Sequence, residues 1–162
     1  MATIIEALYL PDMLDGLTLA ATARGLSRVH FGESAPVGTP GPVVREAERQ
    51  LREFLAGERF VFDLELDLAG TAFQLEVWRA LTKIPYAGTC SYRDIAIAVD
   101  RPKGYQAIGQ ANTRNPIPIV VPCHRVINAD GSMGGYGGGP DRKYKLLELE
   151  KLYAHRFRET AA

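Results

Sequence analysis

The chain begins with three short apolar or alternating runs, at Ile4–Leu10, 17–23 and 26–31, broken by Pro11-Asp12, Asp15-Gly16 and Arg24-Gly25. Runs of that length with such punctuation predict β-strands joined by tight turns. Residues 34–42, rich in Pro, Gly and Ser, predict a loop, and Pro42 then opens a helix through about Leu55. Val43, Ala47, Leu51, Phe54 and Leu55 recur along it at helical spacing, and Gly57 stops it. Residues 60–68 alternate as a strand would. Packing accounts for all of this, so the pattern predicts a small α/β unit over residues 1–69 that carries no chemistry of its own.

Past Ala69-Gly70 the period changes. Thr71 with Gln74 three residues on is a capping-box pattern, and Phe73, Val77 and Leu81 mark the buried stripe of the helix it opens. Pro85-Tyr86-Ala87-Gly88 ends that helix. Ser91, with Asp94 at the third position, caps the next, whose apolar face is Ile95, Ala98 and Val99. After the turn at residues 100–104, residues 105–111 predict a further short helix that mixes small and polar side chains: Gln106, Ala107, Gly109, Gln110 and Ala111, with Asn112 following. Small residues let another backbone approach closely, whether protein or nucleic acid. Helix, tight turn, helix is also the arrangement that sets a second helix into a DNA groove. The β-branched run 117–121, between prolines, predicts a buried strand whose end delivers Cys123 and His124 into a turn.

Composition changes this picture in three places. No apolar run approaches bilayer length and no basic-then-apolar leader opens the chain, which predicts a cytoplasmic protein without a membrane partner. The two cysteines, Cys90 and Cys123, predict reduced thiols, and no Cys/His cluster has metal-ligand spacing, so neither a metal nor another cofactor is expected. The net charge of zero hides an asymmetry: residues 1–70 carry 6 Lys and Arg against 11 Asp and Glu, and residues 71–162 carry 13 against 8. A basic second half suggests that it meets a polyanion.

Candidate chemistry concentrates in one stretch. A thiol at its ordinary pKa is mostly protonated near neutral pH, and an adjacent base raises the fraction that can attack. Cys123 and His124 are adjacent, and only a turn lets neighbouring side chains cooperate. Read alone, the pair is also compatible with a small buried cysteine beside an unrelated histidine.

Pro122-Cys123-His124-Arg125-Val126, with Asn115-Pro116 upstream and the glycine-rich 134–139 around Tyr136 downstream, resembles the signature of the O6-alkylguanine-DNA alkyltransferases. The similarity runs from about Thr71 to Tyr153 and includes Thr71-Ala72-Phe73-Gln74, Trp78, Ile84-Pro85-Tyr86 and Ser91-Tyr92, whereas the first 70 residues match only in length and general pattern. The resemblance implies an α+β protein: a ribonuclease H-like α/β unit over 1–69, and a winged-helix or helix-turn-helix-like unit over 70–162 that binds DNA and accepts the alkyl group. It implies a monomer that binds duplex DNA through the minor groove, flips out a nucleotide, and moves an alkyl group from O6-alkylguanine, with O4-alkylthymine as a further substrate, to its own cysteine once.

The same resemblance assigns the residues. Cys123 is the nucleophile, His124 deprotonates it through a water, and Glu150 orients and charges the histidine; read alone, Glu150 is one more charge on a solvated helix. Asn115 ties the recognition helix to the active-site turn. Tyr92 presses on the target phosphate and returns a proton to the departing guanine. Tyr136 walls the pocket with Asn112, the N–H of Gly137 meets the guanine oxygen, and the carbonyls of Cys123 and Val126 take the exocyclic amine. Ser91, Arg93, Tyr105, Gln106, Ala107, Gly109 and Arg114 form the DNA-binding surface.

One position departs from the family. Gln106 stands where an arginine finger is expected, and glutamine is shorter, uncharged and a poorer stacking surface. Weaker DNA binding or slower flipping is therefore expected, partly offset by Arg101, Lys103 or Arg114. Two alternatives stay open: a damage sensor that binds the lesion without transfer, although such relatives replace the cysteine, and an unrelated cysteine hydrolase, for which no oxyanion-hole motif is evident.

Overall fold

A computed structural model describes residues 2–34 and 38–161. Of the loop expected at 34–42, residues 35–37 lie outside the described part. The chain divides into two compact units, Met1–Ala69 and Gly70–Ala162.

In the first unit, β1 (Ile4–Leu10), β2 (Leu17–Thr22) and β3 (Gly25–Phe31) form an antiparallel sheet in the order β1-β2-β3. The central strand is buried throughout, including Thr18 and Thr22, whose hydroxyls reach the Gly32 carbonyl at 2.8 Å and the Asp67 carboxylate at 2.6 Å. α1 (Pro42–Leu55) starts at the predicted proline and packs Val44, Ala47, Leu51 and Phe54 inward. Its first turn is capped from the sheet: the Glu6 carboxylate accepts the N–H groups of Val43 (2.9 Å) and Val44 (3.0 Å), two donors that no intrahelical carbonyl can satisfy. Residues 60–68 are not a strand. A single parallel bridge joins Leu66 to Leu26, because the segment meets only the first residues of β3. There Gly25, at φ +148°, lies so close to the Glu65 carbonyl that a Cβ would fall 2.5 Å from its oxygen.

In the second unit, Thr71 and Ser91 both complete reciprocal capping boxes, with Gln74 opening α2 (Ala72–Leu81) and Asp94 opening α3 (Tyr92–Ala98). The buried stripe of α2 is Val77, Trp78 and Leu81, and Phe73 is only half-buried. On α3 it is Ala96, not Ala98, that faces inward beside Ile95. α4 (Tyr105–Thr113) runs two residues beyond the sequence reading, and α5 spans Pro140–Ala161. The indole N–H of Trp78 donates to the Ala111 carbonyl at 2.9 Å and ties α2 to α4. Two two-residue strands that the sequence does not announce, β4 (Cys90–Ser91) and β5 (Val126–Ile127), pair in parallel and join the start of α3 to the end of the Cys123 turn.

Candidate active site

The stretch before Cys123 is a buried loop and not the strand expected over 117–121. Ile119 takes φ +74°, a left-handed conformation that costs a β-branched residue on the order of 1–3 kcal/mol. Asn115 holds it there: its Oδ1 accepts the Ile117 N–H at 2.9 Å and its Nδ2 donates to the Val121 carbonyl at 2.8 Å. Since Asn115 directly follows the C-terminal end of α4, the loop is registered to that helix. The loop feeds a 3-10 turn, Cys123–Arg125, in which all three side chains are buried.

His124 is fully buried and meets Glu150 of α5, Nε2 to Oε2, at 2.6 Å. Glu150, 1% exposed, is not on a solvated face. It also accepts Arg125 through Nε and Nη2 at 2.9 to 3.1 Å, and the Ala87 N–H at 2.9 Å. Arg125 in turn donates to the Ile84 carbonyl at 2.7 Å and lies 5.7 Å from the Tyr86 ring centroid. A buried carboxylate thus has the Arg125 guanidinium on one side and the His124 imidazole on the other, the paired and hydrogen-bonded condition under which such a group persists in the interior.

These surroundings decide the protonation states. Burial opposes ionisation of Glu150, but His124 and Arg125 override it and hold the carboxyl below the ordinary range. Burial depresses the basicity of His124 more than Glu150 restores it. Burial pushes the Cys123 thiol up to about 11, although Asn115, Lys143 and Tyr136 favour its charged form. The resting site therefore holds a neutral thiol beside a neutral imidazole whose Nε2 is committed to Glu150, which leaves Nδ1 to receive a proton. That nitrogen is buried and has no hydrogen-bond partner among the described residues.

The other expected site residues fall around this centre. Asn112, buried on α4, donates to the Cys123 carbonyl at 3.3 Å. Tyr92, half-buried at the start of α3, reaches the Gly135 carbonyl at 3.4 Å, and its hydroxyl pKa is raised by burial and by the nearness of Cys123. Gly134, at φ +72°, packs against that ring, and a Cβ there would lie 3.0 Å from the Tyr92 hydroxyl. Tyr136 interacts with Cys123 directly, and burial pushes its hydroxyl well above the usual range. A Cβ on Gly137 would lie 3.3 Å from the Thr113 carbonyl at the end of α4. Arg93, Tyr105, Gln106, Ala107 and Arg114 are exposed, whereas the Ser91 hydroxyl is occupied by its cap.

Lys143 escapes the sequence reading. It is fully buried on α5, and its ammonium donates to the Val126 carbonyl at 2.6 Å and to the Gly135 carbonyl at 3.1 Å. Burial pulls its pKa down to about 8, and Cys123 is near enough to act on it. It binds the glycine-rich loop to the end of the Cys123 turn, and it already occupies one side of the Val126 carbonyl. Its spacing from the turn, one lysine in a helix rich in charge, carries no signal. Arg125 lies inside the quoted motif, and only its adjacency to His124 hints at its place. Among the described residues no group of three His, Cys, Asp or Glu side chains could hold a metal ion.

Residues 72–152 match the family model for the 6-O-methylguanine DNA methyltransferase DNA-binding domain. The methylated-DNA–protein-cysteine methyltransferase of Mycobacterium tuberculosis strain H37Rv is 54% identical over 144 residues, covering 88% of this chain and 83% of that protein. The same-named protein of Mycobacterium leprae is 58% identical over 106 residues, 65% of this chain and 64% of its own length. The crystal structure of Mycobacterium tuberculosis OGT in complex with DNA superposes with a TM-score of 0.82 at 46% identity, covering 91% of this chain and 92% of that one. With identity near one half sustained over most of both molecules, and the family model spanning every element of the Cys123 site, the chain belongs to the methylated-DNA–protein-cysteine methyltransferase family.

Proposed function

We propose that this chain repairs O6-alkylguanine in duplex DNA by moving the alkyl group irreversibly to Cys123. The observation that carries the reading is the buried thiol at the head of a His124–Glu150–Arg125 network, on the segment shared with the family. His124 Nδ1 takes the thiol proton through a water as Sγ attacks the alkyl carbon. The Sγ–C bond forms, the C–O6 bond breaks, and its electron pair stays on the guanine oxygen, which is protonated from the Tyr92 hydroxyl. Glu150 stabilises the imidazolium that results, and its own charge is fixed by Arg125. A thioether is a poor leaving group, so each molecule acts once. O4-alkylthymine is the further substrate that the same displacement admits.

The target atom is out of reach inside a stacked duplex, so the nucleotide is flipped. The exposed side of α4, with Ala107 and Gly109 offering little bulk, supports approach from the minor groove by a monomer, with Arg93 and Arg114 on phosphates. Tyr136, Asn112 and the N–H of Gly137 form the base pocket, with the carbonyls of Cys123 and Val126 accepting the exocyclic amine on the sides that Asn112 and Lys143 leave open. We read the second unit as a winged helix, with α3 and α4 as the helix-turn-helix. The first, a three-stranded meander carrying α1, we read as ribonuclease H-like.

The test is a duplex containing one radiolabelled O6-methylguanine, mixed with the native protein and with Cys123→Ser. Label should saturate near one methyl per chain and vanish in the variant. Tight lesion binding without transfer would instead make the chain a damage sensor.

A further inference from the structure

We propose that Tyr105, rather than Gln106, is the side chain that fills the stack when the damaged nucleotide leaves it; the inference rests on the flipping step above. Extrusion costs the duplex the stacking of that base, and the group that replaces it must offer a plane. It must also stand beside the route to Cys123. Two adjoining surface hollows of about 600 and 540 Å³ flank α4, and both are lined by Tyr92, Gln106, Gly109 and Gly135. Tyr92 donates to the Gly135 carbonyl and lies near Cys123, so both hollows border the candidate site.

Of the residues that α4 contributes to this face, Tyr105 alone is aromatic. Tyr105 is 47% exposed, lines the second hollow and stands outside the buried core. Gly109 lies one turn on, so it shares the face of Tyr105, and nothing lies within 4 Å of where its Cβ would be. That face of α4 is therefore open beside Tyr105, at Gly109. Gln106 can hydrogen-bond an orphaned base but has no comparable plane, and Ala107 has none. A tyrosine in this role works through stacking and without a charge.

This assignment separates stacking from electrostatics. The experiment uses a duplex with one O6-methylguanine opposite a fluorescent cytosine analogue, bound to Cys123→Ser so that no transfer intervenes. The same substitutions are timed for transfer in the cysteine-bearing protein, on duplex and on free O6-methylguanine base. Tyr105→Ala should abolish the change in analogue fluorescence and lower the ratio of duplex to free-base rates on the order of tenfold, with the salt slope of binding unaltered. Tyr105→Phe should keep both, and Gln106→Ala should disturb them less than Tyr105→Ala does. An unchanged ratio in Tyr105→Ala, equal slowing on duplex and free base, or a larger loss in Gln106→Ala would overturn the proposal. Absence of transfer from the native protein, with the Tyr105-dependent fluorescence intact, would sink the repair reading and leave this one standing.

Discussion

At the scale of single residues, the site is a set of groups whose charges depend on one another. Glu150→Gln leaves Arg125 buried beside a neutral partner, and breaking such a pair costs about 3–5 kcal/mol. The denaturant midpoint of the variant should fall accordingly, and transfer to Cys123 should slow because the imidazolium loses its counter-charge. The same coupling gives stability a direction in pH. His124 binds its proton less readily in the fold than its ordinary value of 6.5, and Glu150 less readily than 4.5. The unfolded chain therefore holds more protons over both intervals, and stability rises with pH through each. Their contribution is complete above about 6.5 and is lost on acidification, from His124 first and Glu150 next. Urea midpoints measured from pH 7 to 4 should fall on acidification, with the upper part of the fall missing in His124→Gln. A midpoint that climbs on acidification would reverse the assigned directions. Lys143 marks the limit of reading residues from sequence. A lysine among charged neighbours on a helix reads as solvated, and only the tertiary fold turns it inward to two carbonyls.

At the scale of elements, what the sequence makes legible is what local chemistry decides. The capping boxes at Thr71 and Ser91, the proline that opens α1 and the turn residues of the first three strands all act within a few positions, and each stands where the pattern puts it. Segments 60–68 and 117–121 carry strand-like alternation or β-branching yet find no full partner, since one meets only the start of β3 and the other is bent by Asn115. The β4–β5 pair is too short to leave a pattern, although it sets Tyr92 beside the Cys123 turn. Losing the hydroxyl in Ser91→Ala should cost about 1 kcal/mol and loosen the first turn of α3. Hydrogen exchange at the Asp94 amide, the donor to that cap, would report it, and unaltered protection would contradict the role given to the box.

At the scale of the whole molecule, two consequences can be measured. The excess of Lys and Arg after residue 70 predicts that lesion-duplex affinity falls linearly as salt rises on logarithmic axes. Gln106→Arg should tighten binding and steepen that slope by about 0.9, one phosphate contact's worth. An identical slope would mean that position 106 meets no phosphate. Cys123, 3% exposed, has little room for another carbon, and overpacking of this kind costs about 1–3 kcal/mol. The methylated protein should accordingly melt several degrees below the unreacted one.

The indole described between α2 and α4 gives these experiments a built-in optical signal. Trp78 is the chain's single tryptophan, and its buried N–H is anchored to the helix that bears Tyr105 and Gln106. Excitation at the red edge of the protein band addresses one chromophore in one unit. Its emission colour reads whether α4 is seated, while the sheet of the first unit stays dark. Far-ultraviolet dichroism sees both units, so any disagreement between the two signals during melting measures directly how far each unit unfolds on its own.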